Sequence, residues 1–266
     1  MKKIIHYLMV SFKTGVRESM VFRSNFLIGF LFVAVRAAML LALWNALYSG
    51  KTEVSGIDLA TMQFYTIASI IYEIIISAGV EKSMSSKVWD GSISMVLTRP
   101  MVYPVSLCME QFALTLQNII IRVVPYTLIL VASGLLSRAS VFFTAEFIAS
   151  AALGYFLMLF YQMFFGMICF WTMDISGILN ARDAAMLVFS GSMIPLWFFP
   201  DWLFSVAQYL PFQAIYSAPL SILIGKIRGD EVYAALLVQL AWLALFVFLA
   251  LLFWSKARRR IVVNGG

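Results

Sequence analysis

Charged residues are scarce in this sequence of 266 residues. Asp, Glu, Lys and Arg make up 12% of it, hydrophobic residues make up 62%, and the mean hydropathy is +0.92. A soluble domain carries roughly a quarter charged residues. The chain therefore has too little polar surface to cover a water-soluble globule of its size. A polytopic membrane protein with an all-α fold is predicted.

Histidine and cysteine are nearly absent, which removes most metal-binding and nucleophilic chemistry. His6 is the only histidine, and Cys108 and Cys169 lie in separate apolar runs with no second cysteine or histidine close by. Neither a disulfide framework nor a metal site is indicated by this pattern. We expect both thiols to be buried and inert.

Several motifs of catalysis and nucleotide binding are missing as well. The sequence contains no G-x-x-x-x-G-K-[ST] phosphate-binding loop, no H-E-x-x-H and no G-x-S-x-G. We therefore predict a non-catalytic chain without a cofactor of its own, and an ATP-driven process would need a separate ATPase. The net charge of +6 does not indicate nucleic acid, because the basic residues are dispersed at the ends of apolar segments.

Six apolar segments are predicted to span the membrane, since about 20 predominantly apolar residues cross a bilayer. They cover residues 25–48, 59–78, 103–136, 142–171, 178–199 and 233–254. A kink is expected in the third segment at Pro125. Gly154 and Gly166 of the fourth segment are small enough to allow close contact with other helices.

Two segments are predicted to lie at the membrane without crossing it, within a single transmembrane domain over residues 1–266. Residues 1–22 place their apolar side chains on one helical stripe and are predicted to form an interfacial helix. Residues 200–228 are divided by Pro211 and Pro219 into pieces too short to span. A re-entrant helical hairpin in the outer leaflet is predicted there, because irregular backbone at membrane depth must be shielded by protein.

Residues 81–100 form the longest interior stretch that is excluded from lipid. Two amphipathic helical turns are joined by a glycine, with charges of both signs between the apolar side chains. The apolar residues are Met84, Val88, Trp89, Ile93 and Leu97, the glycine is Gly91, and the charged residues include Lys87, Asp90 and Arg99. Such a segment lies on a membrane surface or against a partner protein.

The distribution of basic residues predicts the orientation. With both termini inside the cell, thirteen Lys and Arg lie in the inner segments and four in the outer loops. Inner loops of membrane proteins carry an excess of these residues. Both termini and residues 81–100 are therefore expected in the cytoplasm.

Charged and amide side chains within the predicted spans are candidates for function, because they are costly in hydrocarbon. The candidates singled out among them are Arg36, Glu73, Glu110, Gln111, Asn118 and Arg122. At 1.5 Å per residue, Arg36 and Glu73 lie about 18 Å and 21 Å below the outer ends of their spans, so the two can pair. A structural ion pair and a substrate or ion pathway lined by Glu73, Glu110 and Arg122 both remain open. The polar side chains of the third span lie on one side of the helix. They likewise fit either interhelical hydrogen bonds or a pathway.

Three sequence patterns resemble one family of membrane transport subunits. The first span ends in Leu43, Trp44, Ala46 and Leu47; the second span is followed by Gly91, Ile93, Leu97, Arg99 and Pro100; and a later run contains Gly191, Ile194, Pro195, Leu196, Phe199, Pro200, Trp202, Leu203, Leu210, Pro211 and Phe212. Their order and spacing are similar to those of the transmembrane subunit of bacterial ATP-binding cassette (ABC) exporters of the type-2 (ABC-2) permease superfamily, in the viologen-exporter-like subgroup.

The resemblance implies six spans, an N-terminal interfacial connecting helix, a coupling helix after the second span and re-entrant helices before the last. It also implies a plasma-membrane complex in which two permease subunits, identical or not, dock on two cytoplasmic ATPase subunits that bind ATP and magnesium. We expect Met84, Val88, Trp89, Ile93 and Leu97 to insert into a groove of the ATPase, with the charged residues of the segment at its rim.

The expected function is therefore ATP-driven export of an amphipathic or hydrophobic molecule. An alternative is an ion-coupled secondary transporter or channel that uses Glu73 and Glu110 as proton sites. A membrane enzyme is less well supported, because the catalytic motifs are missing.

Overall fold

A computed structural model describes most of the chain. The described residues are 23–77, 79–93, 103–132, 134, 139, 141–172 and 174–264. The predicted interfacial helix at 1–22 lies outside them, and so do Leu97 and Arg99 of the predicted coupling segment.

The described part of the chain is predominantly helical, with one very short hairpin. The helices are α1 (Arg23–Leu47), α2 (Leu59–Ile76), α3 (Val80–Trp89), α4 (Tyr103–Asn118), α5 (Val124–Ala132), α6 (Ala145–Met167), α7 (Ser176–Phe189), α8 (Asp201–Gln208), α9 (Pro211–Ile215), α10 (Ser217–Leu223) and α11 (Asp230–Asn264). Strands β1 (Glu53–Val54) and β2 (Ile57–Asp58) pair in antiparallel fashion, with Glu53 opposite Asp58. The hairpin turns at Ser55 and Gly56, which both have positive φ angles.

Among the described residues, five stretches of helix are long and apolar enough to cross a membrane. They are Ile28–Leu47, Leu59–Trp89, Tyr103–Leu128, Ala145–Phe170 and Asp230–Arg258. Each overlaps one of the predicted spans, although the second continues past the predicted end at residue 78 to Trp89. A polytopic, largely α-helical membrane protein is thus confirmed. The second stretch includes both α2 and α3, and Gly79 between them adopts a left-handed conformation with φ of +70°.

The predicted span at 178–199 differs from the structure. Helix α7 has 14 residues and ends at Phe189, so it is about 21 Å long, which is shorter than the hydrocarbon core of about 30 Å. The chain then turns at Gly191, where φ is +78°. The backbone carbonyls of Gly191 and Ser192 accept hydrogen bonds from Tyr65 Oη at 2.8 Å and Ser69 Oγ at 2.6 Å. These two α2 side chains satisfy polar groups that a continuous helix would have satisfied internally.

The third span is irregular where a kink was predicted. A π-helical segment, Ile119–Val123, joins α4 to α5 immediately before Pro125. The Val124 N–H donates to the carbonyl of Ile119. Proline has no N–H, and its ring clashes with the carbonyl four residues earlier. The wider π turn accommodates this ring.

The region 200–228 consists of short helices, as its prolines predicted. Helices α8, α9 and α10 have eight, five and seven residues. Pro211 begins α9, whereas Pro219 lies within α10 and does not separate two helices. Every residue of α10 is buried, and α10 packs on α6. The depth of this region in the membrane stays a prediction.

Helix α6 is the central element, because it packs against α2, α3, α9, α10 and α11. Glycines on α6 allow two of these contacts. A Cβ atom at Gly154 would collide with Tyr72 Oη and would lie 2.8 Å from the backbone carbonyl oxygen of Ile215. A Cβ atom at Gly166 would lie 2.9 Å from Cα of Glu81 and 2.9 Å from Sδ of Met84. The close contacts expected from these two glycines are thus confirmed.

Replacing Gly154 by Ala should destabilise the protein. The added methyl group collides with a backbone carbonyl that cannot move freely, and overpacking of this kind costs about 1–3 kcal/mol of unfolding free energy. Thermal unfolding in detergent measures the loss as a lower Tm. Gly29→Ala is the matched control, because no atom lies within 4 Å of the added methyl group. Equal Tm values for the two variants would contradict this packing.

Candidate functional site

The candidate site is a cleft between helices that contains two ion pairs. It has a volume of about 450 Å³ and opens at the protein surface. We call it the polar cleft, and its lining residues are Arg36, Glu73, Ser77, Gly79, Glu81, Lys82, Met158, Gln162, Arg182, Asp183, Ala184, Met186, Leu187, Ser192 and Tyr216. Three basic and three acidic side chains face it, so its formal charge is balanced. Its remaining walls are apolar or hydroxyl-bearing, apart from the amide of Gln162.

The first ion pair is the one expected from the depths of its members. Arg36 Nη1 on α1 lies 2.9 Å from Glu73 Oε2 on α2. About a third of each side chain remains exposed, at 33% and 35%. The predicted pairing of Arg36 with Glu73 is confirmed, and the pair joins α1 to α2 beside the cleft.

The second ion pair, between Glu81 and Arg182, was not anticipated from the sequence. Arg182 Nη2 on α7 lies 3.0 Å from Glu81 Oε1 on α3, and only 4% and 3% of the two side chains are exposed. Arg182 Nη2 also lies 2.6 Å from Oδ1 of Asp183, whose side chain is exposed. The rings of Tyr161 and Phe165 on α6 lie 5.9 Å from the guanidinium carbon.

One signal in the sequence points to this second pair. The buried residues of α7 are Leu179, Arg182 and Met186. Their spacing of three and four residues places Arg182 on the apolar stripe of the helix, facing the core. The count of thirteen inner Lys and Arg residues includes Arg182, although residue 182 lies within the predicted span 178–199. A charged residue on an apolar stripe needs a buried partner.

The polar residues of the third span do not extend the polar cleft. Glu110 Oε2 accepts a hydrogen bond from Lys87 Nζ at 2.7 Å, and Glu110 Oε1 accepts one from Ser83 Oγ at 3.2 Å. Arg122 is exposed and Asn118 is partly buried. Gln111 is buried. Among the described residues that line the polar cleft, none of these third-span residues occurs. Of the residues predicted to line a pathway, Glu73 therefore faces the polar cleft, whereas Glu110 and Arg122 are not among its described lining residues.

The described part of the coupling segment requires a correction. Met84 and Ile93 are buried in this chain's own core, so they are not available to insert into another protein. Val88 is partly buried beside the same apolar cluster. The pattern was misinterpreted because an amphipathic face predicts burial without identifying the surface that covers it. Gly166 of α6 lets α3 approach closely, and α6 covers the face that carries Met84.

The end of α3 is exposed, as expected for a docking surface. The Trp89 side chain is 78% exposed. The next turn bends at Gly91, where φ is +74°, and Asp90 Oδ1 accepts a hydrogen bond from the backbone N–H of Ser92 at 2.9 Å. Hydrogen bonds from Ser92 hold the pKa of the Asp90 carboxyl below its usual range. The bend predicted at Gly91 is therefore confirmed.

A second cavity, which we call the coupling groove, lies between α3 and the beginning of α7. Its volume is about 630 Å³, and it is lined by Lys82, Ser85, Ser86, Trp89, Asp174, Ile175, Ser176, Leu179, Asn180 and Asp183. The hydroxyl and backbone N–H of Ser176 hydrogen-bond to Asp174 Oδ1. These hydrogen bonds hold the pKa of Asp174 below its usual range, so this wall of the groove is negatively charged at neutral pH.

A family model described as ABC-2 family transporter protein matches residues 34–265, which is most of the chain. No curated protein matches the chain. Among the described residues, no group of three or more His, Cys, Asp or Glu side chains is arranged to hold a metal ion.

The two ion pairs of the polar cleft should differ in their contribution to stability. Glu81→Ala leaves the buried guanidinium of Arg182 without its buried partner, and such a change costs about 3–5 kcal/mol of unfolding free energy. Glu73→Ala should cost about 1 kcal/mol or less, since that pair is partly exposed to solvent. Thermal unfolding of the two purified variants measures the difference. Equal losses of unfolding free energy in the two variants would contradict the prediction that breaking the buried pair costs more than breaking the exposed one.

Proposed function

We propose, from the fact that this chain belongs to the ABC-2 family of transporter proteins, that it exports an amphipathic or hydrophobic molecule with ATP hydrolysed by a separate cytoplasmic ATPase. The chain is the membrane component, or permease, of an ABC transporter. A phosphate-binding loop does not occur in its sequence. The energy for transport must therefore reach the chain through a surface that contacts the ATPase.

The exposure of Trp89 is the main observation that supports this proposal. A tryptophan that is 78% exposed at the end of a charged helix leaves a large apolar surface that this chain does not cover. Tryptophan is also the residue type that most often anchors protein interfaces. Trp89 lies at the edge of the coupling groove, whose volume is large enough to receive side chains of a partner.

The docking surface proposed now differs from the one expected from the sequence. Trp89 is its anchor, and the second wall comes from the beginning of α7, including Asp174 and Asn180. Asp90 lies beside Trp89 and is exposed. The carboxylates of this surface favour a partner with basic side chains at the contact.

The proposed orientation, with the termini in the cytoplasm of a bacterial cell, agrees with how the ends of the helices are grouped. Trp254 and Ala257, near the basic end of α11, pack in the same apolar cluster as Val80 and Met84 of α3. The basic C-terminal end of α11 and helix α3 therefore lie at one end of the bundle. Lys226 Nζ donates to the carbonyl of Ser55 at 2.9 Å, which places two of the predicted outer loops together.

The proposed partners are two ATPase subunits, which bind ATP and magnesium, and a second permease subunit, identical to this chain or not. Helix α1 provides an unoccupied apolar face for lipid or for that second permease. Its exposed apolar residues are Ile28, Leu31, Phe32, Val35, Met39, Leu43 and Leu47. For the substrate, the polar cleft combines charged groups with the apolar walls of Met158, Met186 and Leu187, as an amphipathic molecule requires.

The alternative is an ion-coupled transporter with Glu73 and Glu110 as its proton sites. The surroundings of these two residues do not support it. Glu73 binds Arg36, and Glu110 binds Lys87. Each carboxylate is thus neutralised by a basic residue of this chain.

Replacing Trp89 by Ala should weaken binding of the ATPase and reduce substrate-stimulated ATP hydrolysis. Loss of an interface anchor costs about 2 kcal/mol or more, which is roughly a 30-fold increase in Kd. Co-purification from native membranes first identifies the ATPase, and a binding assay with the purified subunits then measures Kd.

Trp202→Ala is the matched control, because Trp202 is 69% exposed on α8 and is not part of the coupling groove. It should leave ATPase binding unchanged. Normal transport and normal ATPase binding by a well-folded Trp89→Ala variant would overturn the proposed docking surface. Failure to recover any nucleotide-binding subunit with the wild-type chain would overturn the proposed function.

A further inference from the structure

The polar cleft and the coupling groove meet at the buried ion pair. Glu81 and Arg182 both line the cleft. The residue that follows each of them in the chain, Lys82 and Asp183, lines both the cleft and the groove. The pair therefore joins α3 to α7 at the place where the two cavities adjoin.

The packing around the pair is tight on the side of α6. Gly166 leaves so little room that a Cβ atom there would lie 2.9 Å from Cα of Glu81. Helix α6 packs along α3 at this point. A shift of α3 toward α6 is therefore sterically blocked.

The pair is incompletely hydrogen-bonded, which is unusual for buried charges. Within the described part of the chain, Glu81 Oε2 and Arg182 Nη1 are buried without a hydrogen-bond partner, and so is Oε1 of the neighbouring Gln162. Desolvation of a buried ion pair is repaid fully only when its remaining hydrogen-bonding atoms are satisfied. The closed arrangement of the pair is thus less stable than its short distance suggests.

Each member of the pair is also followed in the chain by a residue of opposite charge. Asp183 is exposed and already lies 2.6 Å from Arg182. Lys82, exposed and adjacent to Glu81 in sequence, faces both cavities. If Glu81 and Arg182 separate, opposite charges remain close to both of them. This lowers the electrostatic cost of breaking the pair.

From these observations we propose that Glu81 and Arg182 are positioning residues that form a latch between the coupling groove and the polar cleft. The latch holds the cleft closed toward the groove, and a movement of α3 separates the pair and joins the two cavities. This inference rests on the proposed function, because the ATPase that docks on Trp89 would supply the movement. Nine residues, about 13 Å of helix, separate Trp89 from the start of α3, so a pull at Trp89 tilts the segment that carries Glu81.

The latch can be tested by the accessibility of the polar cleft to a thiol reagent. Ser192 lines the cleft and is buried, so Ser192→Cys reports on access to it. The reporter is placed in a chain with Cys108→Ser and Cys169→Ala. A membrane-impermeant methanethiosulfonate cation is applied to inside-out or right-side-out vesicles. The rate of modification is measured for the whole chain without any ATPase.

With the pair intact, Cys modification from the cytoplasmic side should be slow. Glu81→Gln should raise its rate about tenfold, because the neutral amide holds Arg182 less strongly. Arg182→Lys, which keeps the charge but loses the planar guanidinium, should raise it by a smaller factor. The exchanged pair, Glu81→Arg with Arg182→Glu, should return the rate toward that of the intact chain. Glu110→Gln is the control, since it breaks the ion pair of Lys87 on the same α3 helix without touching the cleft.

Equal rates for the intact chain, Glu81→Gln and Arg182→Lys would overturn the latch. A rise of the same size in Glu110→Gln would also overturn it, because loosening of α3 alone would then explain the access. If Glu81→Gln does not fold, the comparison between Arg182→Lys and the exchanged pair decides the question in the same way. Faster modification from the outer side only would support the latch and overturn the proposed orientation, which separates failure of this inference from failure of the proposed function.

Discussion

The close approach of α3 to α6 at Gly166 governs how the interior of the protein is arranged. It brings the Cα atom of Glu81 against α6, so the Glu81 carboxylate is buried. A carboxylate in such a position requires a cation, and Arg182 of α7 provides it at 3.0 Å. The positions of α3, α6 and α7 are therefore linked through one glycine and one ion pair. A larger side chain at residue 166 would disturb all three helices.

The same requirement for polar partners explains why irregular backbone is tolerated between α7 and α11. The turn at 190–195 has its carbonyls bonded by Tyr65 and Ser69 of α2. Gln239 of α11 donates to the carbonyl of Ala214 at 2.8 Å and to that of Ser150 at 3.1 Å. Side chains of the long helices thus replace the hydrogen bonds that a continuous helix would have made. The short helices are therefore stabilised by contacts with neighbouring helices rather than by hydrogen bonds along a long helix of their own.

Contacts within the candidate site could be predicted from the sequence only where the position of each residue within its own segment was sufficient. The depths of Arg36 and Glu73 in their spans predicted their contact correctly, because two sequential helices joined by a short hairpin are neighbours. The roles of Met84 and Ile93 were misjudged, since the surface that covers an amphipathic face depends on distant parts of the chain. Glu81 and Arg182 are 101 positions apart. Neither residue's own segment indicates that the two will meet.

The sequence by itself determined that the chain is a polytopic, largely helical membrane protein, because hydropathy and helix length are local properties of each segment. It also determined the bend at Gly91 and the irregularity before Pro125, since both follow from the backbone chemistry of single residues. Only the tertiary structure decided that α7 ends at Phe189, that one face of α3 belongs to the core, and that a buried ion pair lies where two cavities adjoin. These features depend on which helices pack together, and packing depends on contacts between residues far apart in the chain.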